Sequence, residues 1–194
     1  IVCTLLGLLI GGGLGLTAAY FGGRTDNIIM RFIDIIQAIP SILLCIALVA
    51  ILGNGMWQLI VAITAGTIQG MTKNVRAAVF MVRNNEYVNS SKSIGVSDLH
   101  IMLKHLIPNA VGMIVINAIG VISGTILTIS SLSYLGVGLT PPTPEWGAIL
   151  SEGKQYMAVA PHMVYFPGLM IAITVVAFNL FGNGLRDALD PRLK

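Results

Sequence analysis

Apolar and polar positions divide this chain into long uncharged stretches joined by short charged ones. Residues 1–23, 35–72, 106–144 and 155–185 contain no Asp, Glu, Lys or Arg. A helix needs about 20 predominantly apolar residues to cross a bilayer. Divided at Gly53-Asn54-Gly55, these stretches predict five membrane spans, at 1–21, 35–52, 56–72, 107–132 and 163–185. Between the third and fourth lies the one long polar interruption, 73–109. Within it Tyr87, Ser91 and Ile94 fall at i, i+4 and i+7, and Leu99, Met102, Leu103 and Leu106 repeat the helical spacing. Gly95 separates the two groups and can take the left-handed backbone that ends a helix. Ser97 can cap the next helix, and Asp98 suits its positive N-terminal end. The pattern predicts two short amphipathic helices around a bend.

Composition agrees with the pattern. Hydrophobic residues make up 55% of the chain, charged ones 10%, and mean hydropathy is +0.86, against about 25% charged in soluble domains. The expected fold is all-α, a polytopic transmembrane helical bundle forming a single domain over 1–194. Basic residues are retained on the cytoplasmic side of a membrane. With the C-terminus inside, Arg24, Arg31, Lys73, Arg76, Arg83, Lys92, Lys104, Arg186, Arg192 and Lys194 are cytoplasmic, and only Lys154 lies outside. This places a loop at 73–106 in the cytoplasm and one at 133–162 outside. It also puts Ile1 outside, within a span, so an earlier helix is expected to precede it; residues 1–21 lack the basic leading region of a signal peptide.

Several chemistries are excluded. The net charge of +3 follows the topology rule rather than a basic patch, so no nucleic acid is expected. Cys3 and Cys45 fall within spans without metal-ligand spacing and read as small buried residues. The span cores hold no ionisable group of the kind that proton- or sodium-driven carriers use, and His162, beside Pro161, reads as interfacial. There is no phosphate-binding G-x-x-x-x-G-K-[ST], no H-E-x-x-H and no nucleophile elbow. Uphill transport would need energy from another chain. The amphipathic unit at 73–109 suits docking of a soluble partner; lying on lipid headgroups is the competing reading.

The unit resembles the cytoplasmic signature loop of permease subunits from binding-protein-dependent ABC importers, E-A-A, three residues, Gly, nine residues, I-x-L-P. Gly95 and Pro108 match at the required separation. Glu86-Tyr87-Val88, His105 and Pro108-Asn109-Ala110 resemble the dipeptide, oligopeptide and nickel branch, in its shorter permease. Tyr20-Phe21-Gly22-Gly23, Ala38-Ile39-Pro40-Ser41, 131–138, 141–147 and 184–193 extend the resemblance over nearly the whole chain. Members of this branch usually have six spans. In two respects the chain departs: Asn89-Ser90-Ser91 replaces Glu-Ala-Ala, and Ile107 replaces the usual Leu.

The resemblance implies a type I ABC importer-like permease with a cytoplasmic coupling-helix loop, itself no enzyme and binding no cofactor. It would form half of a translocation pathway for di- and oligopeptides. Nickel or another small chelate is the rival cargo, and a noncatalytic membrane scaffold that docks a soluble enzyme is the alternative of another class. Implied partners are a second homologous permease, two ATPase subunits carrying ATP and Mg, an extracytoplasmic binding protein and the lipid bilayer of a bacterial inner membrane. ATPase coupling would fall to Glu86, Gly95, Val96, Ser97, Asp98, Leu99, His100, Ile101 and Met102.

Spacing supplies further candidates. Asn117, Gly120, Gly124, Thr128 and Ser131 form a small and polar stripe, with pathway lining the reading for Asn117, Thr128 and Ser131 and helix packing the reading for the glycines. Gly7, Gly11 and Gly15 form a packing stripe. Pro40 and Pro167-Gly168 are expected to kink their helices. Outside, Glu145 and Trp146 are candidates for binding-protein contact, with interfacial anchoring by Trp146 the alternative.

Overall fold

Three glycines at every fourth position decide how two long helices meet. The computed structural model describes residues 1–139 and 142–189, and all regular structure among them is helical. Helix α1 spans Val2–Phe21 and, further along, α4 spans Met56–Val82. A Cβ added at Gly7 would come within 2.6 Å of Thr67 Oγ1, at Gly11 within 2.6 Å of the Ile68 carbonyl oxygen, and at Gly15 within 2.4 Å of the Thr72 carbonyl oxygen. Helix backbones approach this closely only where no side chain intervenes, so the stripe is a packing face, as its spacing suggests. The α1–α4 pair is the most extensive helix contact in the molecule.

Between them lie α2 (Gly23–Gln37) and α3 (Ser41–Leu52), bent by 79° at the intervening break. The pattern predicted one span over 35–52; the structure breaks it at Ala38-Ile39-Pro40. Pro40 has no N–H to continue the ladder and forces the residue before it out of helical backbone. With 12 residues, α3 is about 18 Å long, short of the ~30 Å hydrocarbon core. α1, the continuous helix Asp98–Tyr134 and His162–Ala188 are each long and apolar enough to cross a membrane, and the bent pair would make a fourth crossing. α4 falls outside that group because Gln58, Gln69 and Lys73 dilute it, yet it carries ten of the buried residues.

α4 continues ten residues past the predicted span end at Thr72, and polar contacts hold its extension. Arg76 Nε and Nη2 donate to Asp26 Oδ1 and Oδ2 at 2.5 and 2.6 Å, and Lys73 Nζ lies 2.9 Å from Asp34 Oδ1. The guanidinium holds the Asp26 carboxyl below the usual carboxylate range. The Asp26 contribution is therefore complete above the unfolded carboxylate pKa of about 3.9, and it is lost as pH falls through the lower folded value. Asp26→Asn is expected to cost about 2 kcal/mol at neutral pH, because it replaces a charge-assisted pair. Thermal unfolding at pH 7 and pH 3 checks this: the difference between variant and parent should shrink at the lower pH.

After α4 come α5 (Glu86–Ser93) and α6 (Asp98–Ile101), the latter running through a π turn (Met102–Leu106) into α7 (Ile107–Tyr134). The second predicted short helix is thus the head of one 37-residue helix. Pro108 explains the join. Its ring would collide with the carbonyl four residues earlier, and the wider π turn, in which Ile107 N–H reaches the Met102 carbonyl, absorbs the mismatch. α7 ends at Gly136, φ +78°, followed by α8 (Trp146–Gly153), a 3-10 turn (Lys154–Tyr156) and α9 (His162–Leu189), which continues through Pro167. Pro141 and residues 190–194, which include Arg192 and Lys194 of the inside set, lie outside the described residues.

Candidate functional site

The polar unit is built on a bend that requires glycine. Gly95 has φ +78°, with its N–H donated to the Lys92 carbonyl and the Val96 N–H donated back to Ser91. This pair of bonds closes the end of α5 and turns the chain into α6. Ser97 occupies the capping position by backbone geometry, but its hydroxyl makes no cap bond. Asp98 instead accepts the Tyr20 hydroxyl at 2.5 Å, and Lys92 Nζ sits 4.5 Å above the Tyr20 ring. The end of α1 is thereby clamped between both arms of the bend.

The apolar sides read from the spacing divide between buried and exposed. Val88, Ile101 and Leu106 are fully buried among Leu16, Ala19, Val79 and Ala110. Tyr87, Ile94, Leu99 and Leu103 are exposed, with Ile94 80% and Leu99 63% accessible. Glu86, Asn89, Ser90 and His100 are also exposed, while Val96 and Met102 are half-buried. Each arm is apolar on two sides, and tertiary contact takes only one of them. The result is a rigidly based unit presenting an apolar ridge.

A second feature lies between α3, α4 and α7: a cavity of about 320 Å³ lined by Gln37, Ser41, Thr67, Gln69, Thr125 and Thr128, by the apolar Cys45, Ile63 and Val121, and by glycines that include Gly124. Of the stripe read from α7, Thr128 and Gly124 reach this cavity; Asn117 and Ser131 do not. A Cβ at Gly120 or Gly124 would meet nothing within 4 Å among the described residues, so neither glycine marks a close helix contact there. Gln69 and Thr125 were not singled out by spacing. The signal was present: Gln69 is an amide in the middle of an otherwise apolar run, and it is 4% exposed.

On the other side, Glu145 caps α8, its Oε2 accepting Ala148 N–H at 2.7 Å. Its carboxylate is therefore turned to its own backbone, and Trp146 is the more accessible of the two outside candidates. Trp146 and Ile149 line a cleft of about 320 Å³ against Ile126 and Ile129 of α7.

Residues 11–194 match the family described as binding-protein-dependent transport system inner membrane component. The chain belongs to this family. As a family permease it is 46% identical over 194 residues to the glutathione transport system permease protein GsiD of Pectobacterium atrosepticum, and 44% identical to GsiD of an Escherichia coli strain. Each alignment takes in 100% of this chain and 64% of the relative. Among solved structures, the MetNI methionine ABC transporter in an inward-facing conformation shares the fold at TM-score 0.78 and 20% identity, covering 98% of this permease and 90% of that chain. An amino acid ABC transporter aligns at TM-score 0.61 and 14% identity, over 99% and 87% of the two chains. The permease thus has the helical-bundle fold of these transporters' membrane subunits.

Proposed function

We propose that this permease forms half of the translocation pathway of an ATP-driven importer for short peptides, with residues 73–106 and the C-terminus in the cytoplasm. The observation that carries the reading is the ridge of Ile94, Leu99 and Leu103 on a buried base. An ATPase subunit gripping that ridge would move α5 and the head of the 37-residue helix as one body. The helix runs unbroken from Asp98 to Tyr134, so displacement at the ridge is transmitted to the cavity wall at Gly124–Thr128. Rigid-body motion of this kind supplies a two-state switch between inward and outward access. Two ATPase subunits, a second homologous permease and an extracytoplasmic binding protein complete the proposed assembly. ATP and Mg act on the ATPase subunits. Glutathione-transport relatives, with a peptide-like cargo in their names, favour peptides over nickel chelates.

ATP-dependent uptake of labelled di- and oligopeptides into proteoliposomes holding the full complex tests this. Uptake should require every component. Gly95→Pro should lower both uptake and binding-protein-stimulated ATP hydrolysis more than tenfold while the subunit stays in the membrane, since proline cannot adopt φ +78°. Stimulated hydrolysis without peptide uptake would move the cargo to nickel or another chelate. Partner binding with neither activity would leave the scaffold reading.

A further inference from the structure

We infer that Tyr20 is a positioning residue for coupling, whose hydroxyl makes the α1–α4 pair travel with the cytoplasmic unit when an ATPase displaces it; the inference rests on the importer reading. The unit reaches the spans by unequal routes. Its α6 head is continuous with α7, so that helix must follow. α4 joins α5 only through 83–85, a turn closed by Arg83 N–H to the Val79 carbonyl and Asn85 N–H to the Val82 carbonyl. A few residues between elements are enough for a hinge. α1 is remote in the chain, with Tyr20 and Asp98 separated by 78 positions. Its end shares a buried cluster with Val88, Ile101 and Leu106, but apolar contact is non-directional and lets surfaces slide.

Directional bonds remove that freedom. Asp98 of α6 accepts the Tyr20 hydroxyl, Lys92 of α5 stands over the Tyr20 ring, and the Arg83 guanidinium donates to the Ala19 carbonyl in the same last turn of α1. Arg83 belongs to the hinge itself, on the α4 side, so only Asp98 and Lys92 join α1 to the arms of the unit. Of these, the bond to a carboxylate is the one that fixes both direction and distance. Tyr20 is 5% exposed, so its ring is anchored while its hydroxyl reaches the exposed Asp98. A grip on α1 is also a grip on α4. At Gly7, Gly11 and Gly15 the two helices approach too closely for one to slip past the other. With the Tyr20 bond in place, α1, α4 and α7 move as one body. Without it the hinge at 83–85 is free, and α7 moves against α4 instead of carrying it.

The test is a distance between nitroxide labels at Leu9→Cys in α1 and Lys104→Cys in the head of the 37-residue helix, both exposed positions. The native Cys3 and Cys45 are buried. The full complex in nanodiscs is compared without nucleotide and with ATP and vanadate. In the parent the distance should be the same in both states. In Tyr20→Phe, which keeps the ring under Lys92 and removes only the hydroxyl, it should change by about 3 Å or more, the scale of helix displacement in switching proteins. Asp98→Ala, at an exposed position, should give the same change, and adding Tyr20→Phe to it should add nothing, because both remove one shared bond. Tyr20→Phe should also lower the peptide imported per ATP at least fivefold while stimulated hydrolysis stays within twofold and Tm stays near that of the parent. A hydroxyl with a merely structural role would lower Tm and leave that ratio unchanged. A distance that already changes in the parent, or one that stays fixed in Tyr20→Phe, would overturn the role of Tyr20. A parent complex that imports no peptide removes the importer reading alone, since the label distance reports on α1 without reference to cargo.

Discussion

Gly15→Leu is expected to destabilise the permease by about 3 kcal/mol or more and to lower its Tm by on the order of 10 °C. The added Cβ would stand 2.4 Å from the Thr72 carbonyl oxygen and 2.9 Å from the Arg76 backbone nitrogen. Both neighbours are backbone, so neither can swing aside as a flexible side chain would. α4 could yield only by moving away from α1, and it is tied at that level by the Arg76–Asp26 pair. Separating the helices would also open the contacts at Gly7 and Gly11. Gly13→Leu is the matched control. It lies on the same helix, and a Cβ there meets nothing within 4 Å, so its effect should stay within about 0.5 kcal/mol. Thermal unfolding of the two variants in nanodiscs decides the matter; similar melting of both would show that the glycine stripe does not set the approach of α1 to α4.

Leu99→Asp is expected to reduce ATP-driven uptake more than tenfold with little change in Tm. Leu99 is 63% exposed, so the chain's own fold loses almost nothing when it becomes polar. In a docked complex the same side chain would be desolvated. An unpaired carboxylate there would cost about 2 kcal/mol or more, roughly 30-fold in affinity. Ile101→Asp, two residues on, supplies the contrast. Ile101 is fully buried beneath the bend, and an aspartate there should abolish folding rather than coupling. Uptake, binding-protein-stimulated ATP hydrolysis and Tm measured together separate the effects. Normal uptake with Leu99→Asp would mean that the ridge is not the surface the ATPase grips.

The positions of the long apolar helices, the packing role of Gly7, Gly11 and Gly15, and the left-handed turn at Gly95 were all legible in the sequence. Each depends on local chemistry: apolar length, absence of a side chain, freedom at positive φ. Where a local pattern can be satisfied in more than one way, spacing did not decide the outcome. Leu99, Met102, Leu103 and Leu106 share one helical spacing, yet Leu106 is buried and Leu99 and Leu103 are exposed, a division made only by contact with α1 and α4. Pro40 and Pro167 were both read as irregularities. The chain breaks by 79° at the first, whereas α9 continues through the second, an outcome that the residue type alone does not settle. Asn117 and Ser131 share the α7 stripe with Thr128, yet the cavity extends only along 121–128.

Sequence alone thus determined that the chain is a bundle of apolar helices with one polar, glycine-centred unit, because hydropathy and backbone freedom are properties of residues and their near neighbours. Tertiary structure decided which face of that unit is left bare, where the second apolar run breaks, and that Gln69, Thr125 and the start of α3 meet at one cavity. Those outcomes depend on groups far apart in the chain competing for the same space, and spacing along a single helix carries no information about what stands opposite.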